Sequence, residues 1–406
     1  MSSVPAESNE ELKENSASWL PWVLVPMLIL IGIGLRFAGL GLRSWDMKDF
    51  LLDWYNELAK HGYVAFREPF SNYTPPYLYM LYVMTKTAGF IPKIAAIKLP
   101  SICFDFLNAF LVYRILRIRY PQGATAWIGA SSFLLLPTVL LNSAYWGQSD
   151  AIYTCFLLLC IFFLMKNQPL MAMIFLGVSF SFKAQAAFIG PLILLLIIKK
   201  KIPWHYLGIV PLMYALMMIP AAVIGRPVID LLTIYARQAG TYQVLSLDAP
   251  NIYLLVPNIP YHSGLIIGLA TTVLIALAWT TIYAGKIKKF TPQTTLLCAL
   301  VAVAFMPFFL PKMHDRYFYL ADVLSFLVAF YFPKRWWLAL GYQVVSGLAY
   351  FVFLHSSITT TRVQPPLGLG ILISAAVINT ILMGFVFWNQ WKLTDRSAED
   401  NHVSPT

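Results

Sequence analysis

Apolar runs of about 20 residues recur along most of this 406-residue chain, and no other feature limits its fold so sharply. Backbone polar groups in hydrocarbon find no water, so each crossing segment has to satisfy its own N–H and C=O groups as a helix. The fold class this predicts is an all-α polytopic membrane protein. Composition agrees: 59% of the residues are hydrophobic and 12% charged, against about 25% charged in soluble domains. The net charge of +11 does not point to nucleic acid, because the basic residues stand in short clusters at the ends of apolar runs. Cys103, Cys155, Cys160 and Cys298 lie inside such runs, without CxxC spacing or companion histidines, so neither a disulfide nor a metal site is expected. The polar, acidic start of the chain lacks the basic region of a signal peptide. The apolar run after it is too long for one and is expected to remain as a span.

Spans are expected at 19–42, 95–116, 124–143, 150–165, 169–183, 185–198, 203–223, 264–284, 291–310, 316–332, 335–355 and 367–391. The stretch 75–89 decides the topology. It is short for a crossing. If it crossed, the basic clusters would alternate sides. If it lies beside the membrane there are twelve spans, and Arg114/Arg117/Arg119, Lys166, Lys199–Lys201, Lys286/Lys288/Lys289, Lys334–Arg335 and Lys392 share one face. The positive-inside rule makes that face cytoplasmic and puts both termini there, with tails at 1–18 and 393–406. The other face receives 44–94, 142–150, 183–185, 225–261, 312–316 and 355–366, which hold the polar signatures of the chain. A site assembled from several outer loops is therefore expected.

The first outer loop is the richest. It gathers Asp46, Asp49, Asp53, Glu57 and Glu68 in a chain with few acids. Phe50, Leu51, Trp54 and Leu58 fall at helical spacing, which predicts an amphipathic helix along the interface, ended by Gly62. Asn72-Tyr73-Thr74-Pro75-Pro76 then forces a turn, since proline biases Thr74 away from helix. Asn72-Tyr73-Thr74 also matches the glycosylation pattern, which is common by chance. Asp46 and Asp49, walled by Trp45, Phe50 and Trp54, are candidates for a general base or a helix cap. In 142–150, Trp146 offers a flat apolar surface and Gln148 and Asp150 offer polar contacts, a reasonable carbohydrate surface; an interfacial Trp and a capping Asp are the plainer alternative. Lys183 and Gln185 sit between two apolar runs, as site residues or, for the lysine, snorkelling to the interface. Lys312, His314 and Arg316 at the outer end of a span run against the positive-inside trend. The lysine and arginine suit an anionic ligand, and the histidine can donate a hydrogen bond or shuttle a proton. Within the spans, Asp105 is expected to pair with Lys98, and Asp322 to orient the 312–316 loop.

The order of these pieces resembles the GT-C superfamily of integral-membrane glycosyltransferases. It is closest to bacterial proteins similar to the second mannosyltransferase of GPI-anchor synthesis. The pieces are one span, a long outer loop with an early Asp, Asn-Tyr-Thr-Pro-Pro-Tyr, a short tyrosine-rich helix, Trp-Gly-Gln-Ser-Asp, Lys-Ala-Gln and Pro-Lys-Met-His-Asp-Arg-Tyr. The resemblance covers about 40 to 330 and marks 19–332 as a catalytic membrane module with its outer loop at 43–94; 333–392 carries no matching motif. It implies inverting transfer of a sugar, mannose by commonest association, from a polyprenyl-phosphate donor to a lipid or glycan acceptor outside the cytoplasm. No cofactor or metal is implied. Asp46 takes the catalytic position, although Met47 departs from the family's aromatic and Asp49 stands close by. Lys312, Arg316, Lys183 and His314 would steady the leaving phosphate. Trp146, Gln148 and Asp150 would border the sugar or acceptor, Gln185 of the Lys-Ala-Gln motif is a further substrate-binding candidate, and Tyr73 would shape the cleft. The alternatives are a lipid-linked glycan ligase or polymerase, a lipid or sugar flippase or transporter, and a non-catalytic scaffold. A bacterial plasma membrane, or a eukaryotic endoplasmic reticulum, would be its location.

Overall fold

A computed structural model describes residues 19–359 and 365–399. Most of it is helix, and the described residues hold one two-stranded sheet. Among the described residues, seven helices are long and apolar enough to cross a membrane: Leu20–Gly39, Lys93–Arg119, Trp204–Val223, Tyr261–Lys286, Pro292–Phe309, Pro333–Ser357 and Pro366–Lys392. Thr125–Phe133 and Pro137–Trp146 together make an eighth if the 45° bend between them lies within one span. Pro137 explains the bend, because it cannot donate to the preceding turn and holds Leu136 in extended backbone. Asp150–Met165, Pro169–Phe182, Ala184–Ile198 and Tyr319–Tyr331 are apolar helices of 10–17 residues. Every stretch expected to span is thus helical, but four are shorter than a crossing usually needs.

Pro292–Phe309 and Tyr319–Tyr331 are buried along nearly their whole length and form the centre of the bundle. Leu20–Gly39, Trp204–Val223 and Tyr261–Lys286 expose most of their apolar side chains, as helices on a lipid-facing perimeter do. The stretch 75–89 contains the 11-residue helix Pro75–Thr85, which reaches about 16 Å and is short for a crossing. Thr74 before it is extended (φ −70°, ψ 148°), as a residue before proline must be. The amphipathic helix runs Leu52–His61, burying Trp54 and Leu58, and Gly62 stops it with φ +62°. A π-helical turn, Met47–Leu51, precedes it. That turn buries Leu51 and leaves Asp49 and Phe50 exposed.

Two buried charges differ from expectation. Asp105 does not pair with Lys98. Arg36 of the first span reaches it instead, with Nε and Nη2 donating at 3.0 and 2.9 Å. Ser143 adds a third donor to the same carboxylate oxygen. Arg36 spends Nη1 on the Leu134 and Gly32 carbonyls. Burying such a pair is costly unless hydrogen bonds offset the lost solvation, and arginine has enough donors for carboxylate and backbone together; all three donors meet Asp105 Oδ2, and Oδ1 is buried without a partner among the described residues. Asp322 does not touch the 312–316 loop; it accepts from Ser346 at 2.8 Å and so ties two core helices together.

Candidate functional site

Lys98 explains how the first outer loop is held. Its ammonium, fully buried, donates to the carbonyls of Gly39 (2.8 Å), Leu42 (2.9 Å), Ala144 (2.7 Å) and Tyr145 (3.2 Å). Gly39 ends the first span and Ala144 and Tyr145 belong to a second π-helical turn, Leu141–Trp146. Orphan carbonyls and a negative partial charge gather at such helix ends, and one cation meets both. The chain after each end is then stitched to the other. The Ser44 hydroxyl donates to the Trp146 carbonyl at 2.8 Å and accepts the Met47 N–H at 3.2 Å. Gly147 adopts φ +85°, and a Cβ there would lie 2.8 Å from the Met47 side chain. Both turns that carry candidate residues are therefore π-helical, a geometry that recurs at functional sites.

The stitched loops open onto a cavity of about 470 Å³. Asp46, Tyr73, Gln148, Lys183, Gln185, His314 and Arg316 all line it, from five separate segments. One oxygen of Asp46, Oδ2, accepts from Trp146 Nε1 at 2.8 Å and from the Gln148 amide, and lies 3.7 Å from Arg316 Nη1. No hydrogen bond from a described residue reaches the other, Oδ1. Gln148 in turn accepts from the Tyr73 hydroxyl at 3.2 Å, so its amide orientation is set from both ends. Arg316 lies over the Trp146 indole, 5.3 Å from the ring centre, and also faces Asp315 (3.5 Å) and Asp150 (3.9 Å). Burial opposes its charge, but Asp46, Tyr73, Asp315 and Asp150 outweigh that and hold its pKa well above the usual range. Lys183 leaves the helical path with φ −149°, between Pro169–Phe182 and the following 3₁₀ turn. Its ammonium donates to Asp150 at 2.7 Å, and Asn142 donates to the other oxygen of Asp150 at 2.9 Å.

Five expectations change. Asp49 is exposed and does not line the cavity, so Asp46 alone of the two acids faces it. Trp146 offers no sugar surface: it is fully buried, stacked on Phe353 at 4.4 Å beneath Arg316, and acts as a hydrogen-bond donor to Asp46. Asp150 is buried behind the cavity wall and holds Lys183 rather than a ligand. Lys312 points elsewhere, its ammonium donating to the Ala239 carbonyl and to the Tyr261 hydroxyl at 2.9 Å. His314 lines the cavity without charge, because burial and then Arg316 and Lys183 push its pKa down to about 3. It remains a neutral hydrogen-bonding group.

Asp315 and Asp248 line the same cavity and were not anticipated. Burial pushes the Asp315 carboxyl up to about 8; Arg316 opposes this, and Asp46 and Asp248 add to it. Asp315 stands inside the basic motif, where its neighbours Lys312, His314 and Arg316 drew the attention. Asp248 comes from 225–261, which no local pattern distinguished. That segment reaches the site through a two-residue parallel pairing, Ser246–Leu247 against Met313–His314, which lays it along the basic motif. No protein-family model matches this chain, and no curated protein matches it either.

Proposed function

We propose that this chain is an inverting glycosyltransferase of GT-C type. It would transfer a monosaccharide, mannose in the first instance, from a polyprenyl-phosphate donor to a lipid or glycan acceptor on the non-cytoplasmic face. The observation that carries the reading is the pairing, in one cavity, of a carboxylate fixed through one oxygen with two cations, Lys183 buried and Arg316 largely so. Asp46 Oδ2 is held by Trp146 and Gln148, while Arg316 and Lys183 line the same chamber. In the reaction Asp46 Oδ1 takes the proton of the acceptor hydroxyl as its oxygen attacks the anomeric carbon. The bond from that carbon to the phosphate oxygen breaks on the opposite side. The lipid phosphate leaves as an anion, so no general acid is required. Arg316 and Lys183 face the charge that develops on it, and the neutral His314 offers one more hydrogen-bonding group. At neutral pH Asp315 is protonated and competes little with the phosphate for Arg316.

The twelve-span topology belongs to the same proposal. Seven helices, and the bent pair as an eighth, satisfy length and composition, and the four shorter apolar helices would cross beside them. The loops of the cavity then share one face, opposite the lysine and arginine clusters.

Sugar transfer in proteoliposomes from polyprenyl-phosphate mannose and glucose tests the reading. Asp46→Asn is expected to lower turnover by about 10²-fold or more with donor still bound, and Asp49→Asn to stay close to wild type. An active Asp46→Asn protein would remove the base. Wild-type protein that consumes neither donor yet passes a substrate across the bilayer would replace the transferase with a transporter.

A further inference from the structure

A second chamber of about 370 Å³ adjoins the cavity of Asp46. Phe50, Trp54, Asn72, Gln238 and Thr241 line both chambers, and the Gln238 amide donates to the Asn72 carbonyl across the boundary. The walls of the two differ in charge. The first contains Arg316, Lys183 and Asp46. Among the described residues, the second is lined by one charged side chain, Arg237, and that guanidinium already meets Asp230 at 2.7 Å. What remains is apolar, with the rings of Phe50, Trp54 and Phe70 and the aliphatic Pro69 and Ile234, beside the neutral polar Ser71, Asn72, Gln238 and Thr241. Phe50 is 37% exposed although it borders both spaces.

This lining selects among ligand classes. A lipid chain would leave the amides and hydroxyls against hydrocarbon, at a cost in unmet hydrogen bonds. An anionic headgroup would find a single cation, the half-exposed Arg237 paired with Asp230, where the first chamber offers two that are better shielded from water. A neutral saccharide fits both kinds of wall, since its C–H faces cover aromatic rings and its hydroxyls bond amides and hydroxyls. We infer that the second chamber is the acceptor subsite and takes a neutral saccharide, one hydroxyl of which it offers to Asp46. This rests on the transferase reading and makes the acceptor a glycan end approached from the aqueous side, with the donor's phosphate confined to the inner chamber.

Binding without donor tests the chamber independently of the reaction. The full-length protein in lipid nanodiscs is titrated with methyl α-D-mannopyranoside and mannobiose, read by saturation-transfer NMR, with methyl phosphate as the anionic probe. Phe70 lines only the second chamber. Phe70→Ala is expected to weaken saccharide binding by roughly three- to tenfold, and Phe70→Tyr, which keeps the ring and controls for folding, to restore it. Saccharide binding indifferent to Phe70, or methyl phosphate binding in its place and lost in Phe70→Ala, would overturn the inference. Turnover on the same preparations separates the two readings. Phe70-dependent binding in a protein without transfer keeps the subsite and removes the reaction. Transfer with an unchanged acceptor KM in Phe70→Ala does the reverse.

Discussion

Arg316 and Lys312 stand four residues apart in one motif and end in different places. The left-handed φ of +67° at Lys312 turns the chain just ahead of the two-residue strand Met313–His314, and the turn after that strand brings Arg316 to the cavity. Residue type and order marked Asp46, Gln148, Lys183 and Arg316 as site residues, because carboxylate, amide and cation have few uses on an outer loop of such an apolar chain. They did not reveal which way each points, since that depends on backbone angles at single positions. Asp315 provides a prediction at this scale. Its carboxyl titrates near 8 in the folded protein against an ordinary 3.8, so the fold holds its proton where the unfolded chain does not. Stability falls as pH rises through that interval. His314, pushed down from 6.5 to about 3, acts oppositely, adding stability as pH rises to 6.5. Between pH 6.5 and 8 only the Asp315 contribution remains of these two. Thermal unfolding of the wild type in detergent is expected to move to lower temperature over that interval, and Asp315→Asn to flatten the slope. Under the proposed mechanism, ionised Asp315 also competes for Arg316, so transfer activity declines toward pH 8 and Asp315→Asn extends the plateau; an unchanged alkaline limb would separate Asp315 from the phosphate site.

At the scale of elements, the site depends on two π-helical turns locked to each other. The amphipathic helix and its glycine stop were legible, because apolar spacing and a φ > 0 residue are local signals. The π-turns were not, because their extra residue is stabilised by contacts made a hundred residues away, such as Ser44 to Trp146. Gly147→Ala puts a Cβ on a left-handed residue and against Met47, so a loss of about 1–2 kcal/mol is expected together with lower turnover. Gly190→Ala, with open space around its Cβ position, serves as the comparison and should unfold like wild type. Lys98→Met removes the shared donor from carbonyls of two helix ends, of which Gly39 keeps the Leu42 N–H, and each buried acceptor left unmet costs on the order of 1–3 kcal/mol. It is expected to unfold at much lower temperature, by differential scanning fluorimetry, and to lose transfer even where it still folds. Stability close to wild type would show that other donors replace the ammonium.

At the scale of the whole molecule, the topology can be tested without any assay of activity. In a cysteine-free background, Phe90→Cys sits at an exposed position between Pro75–Thr85 and Lys93–Arg119, and Lys200→Cys lies in the lysine cluster after Gly190–Ile198. A membrane-impermeant maleimide added outside intact cells is expected to label the first and not the second until the membrane is opened. Labelling of both from outside would break the shared-face arrangement that the site requires. The helical class and the segments that bear the site could be read from the chain alone, because apolar run length and charge clustering are linear properties that a bilayer selects directly. Burial was the property that needed three dimensions. Only the folded bundle shows that Arg36, not Lys98, neutralises Asp105, that Trp146 lies beneath Arg316 rather than open to a ligand, and that Asp248 and Gln238 reach the cavity at all. Each of these is a pairing between residues far apart in the chain, and a partner chosen by packing and desolvation leaves no local pattern to mark it.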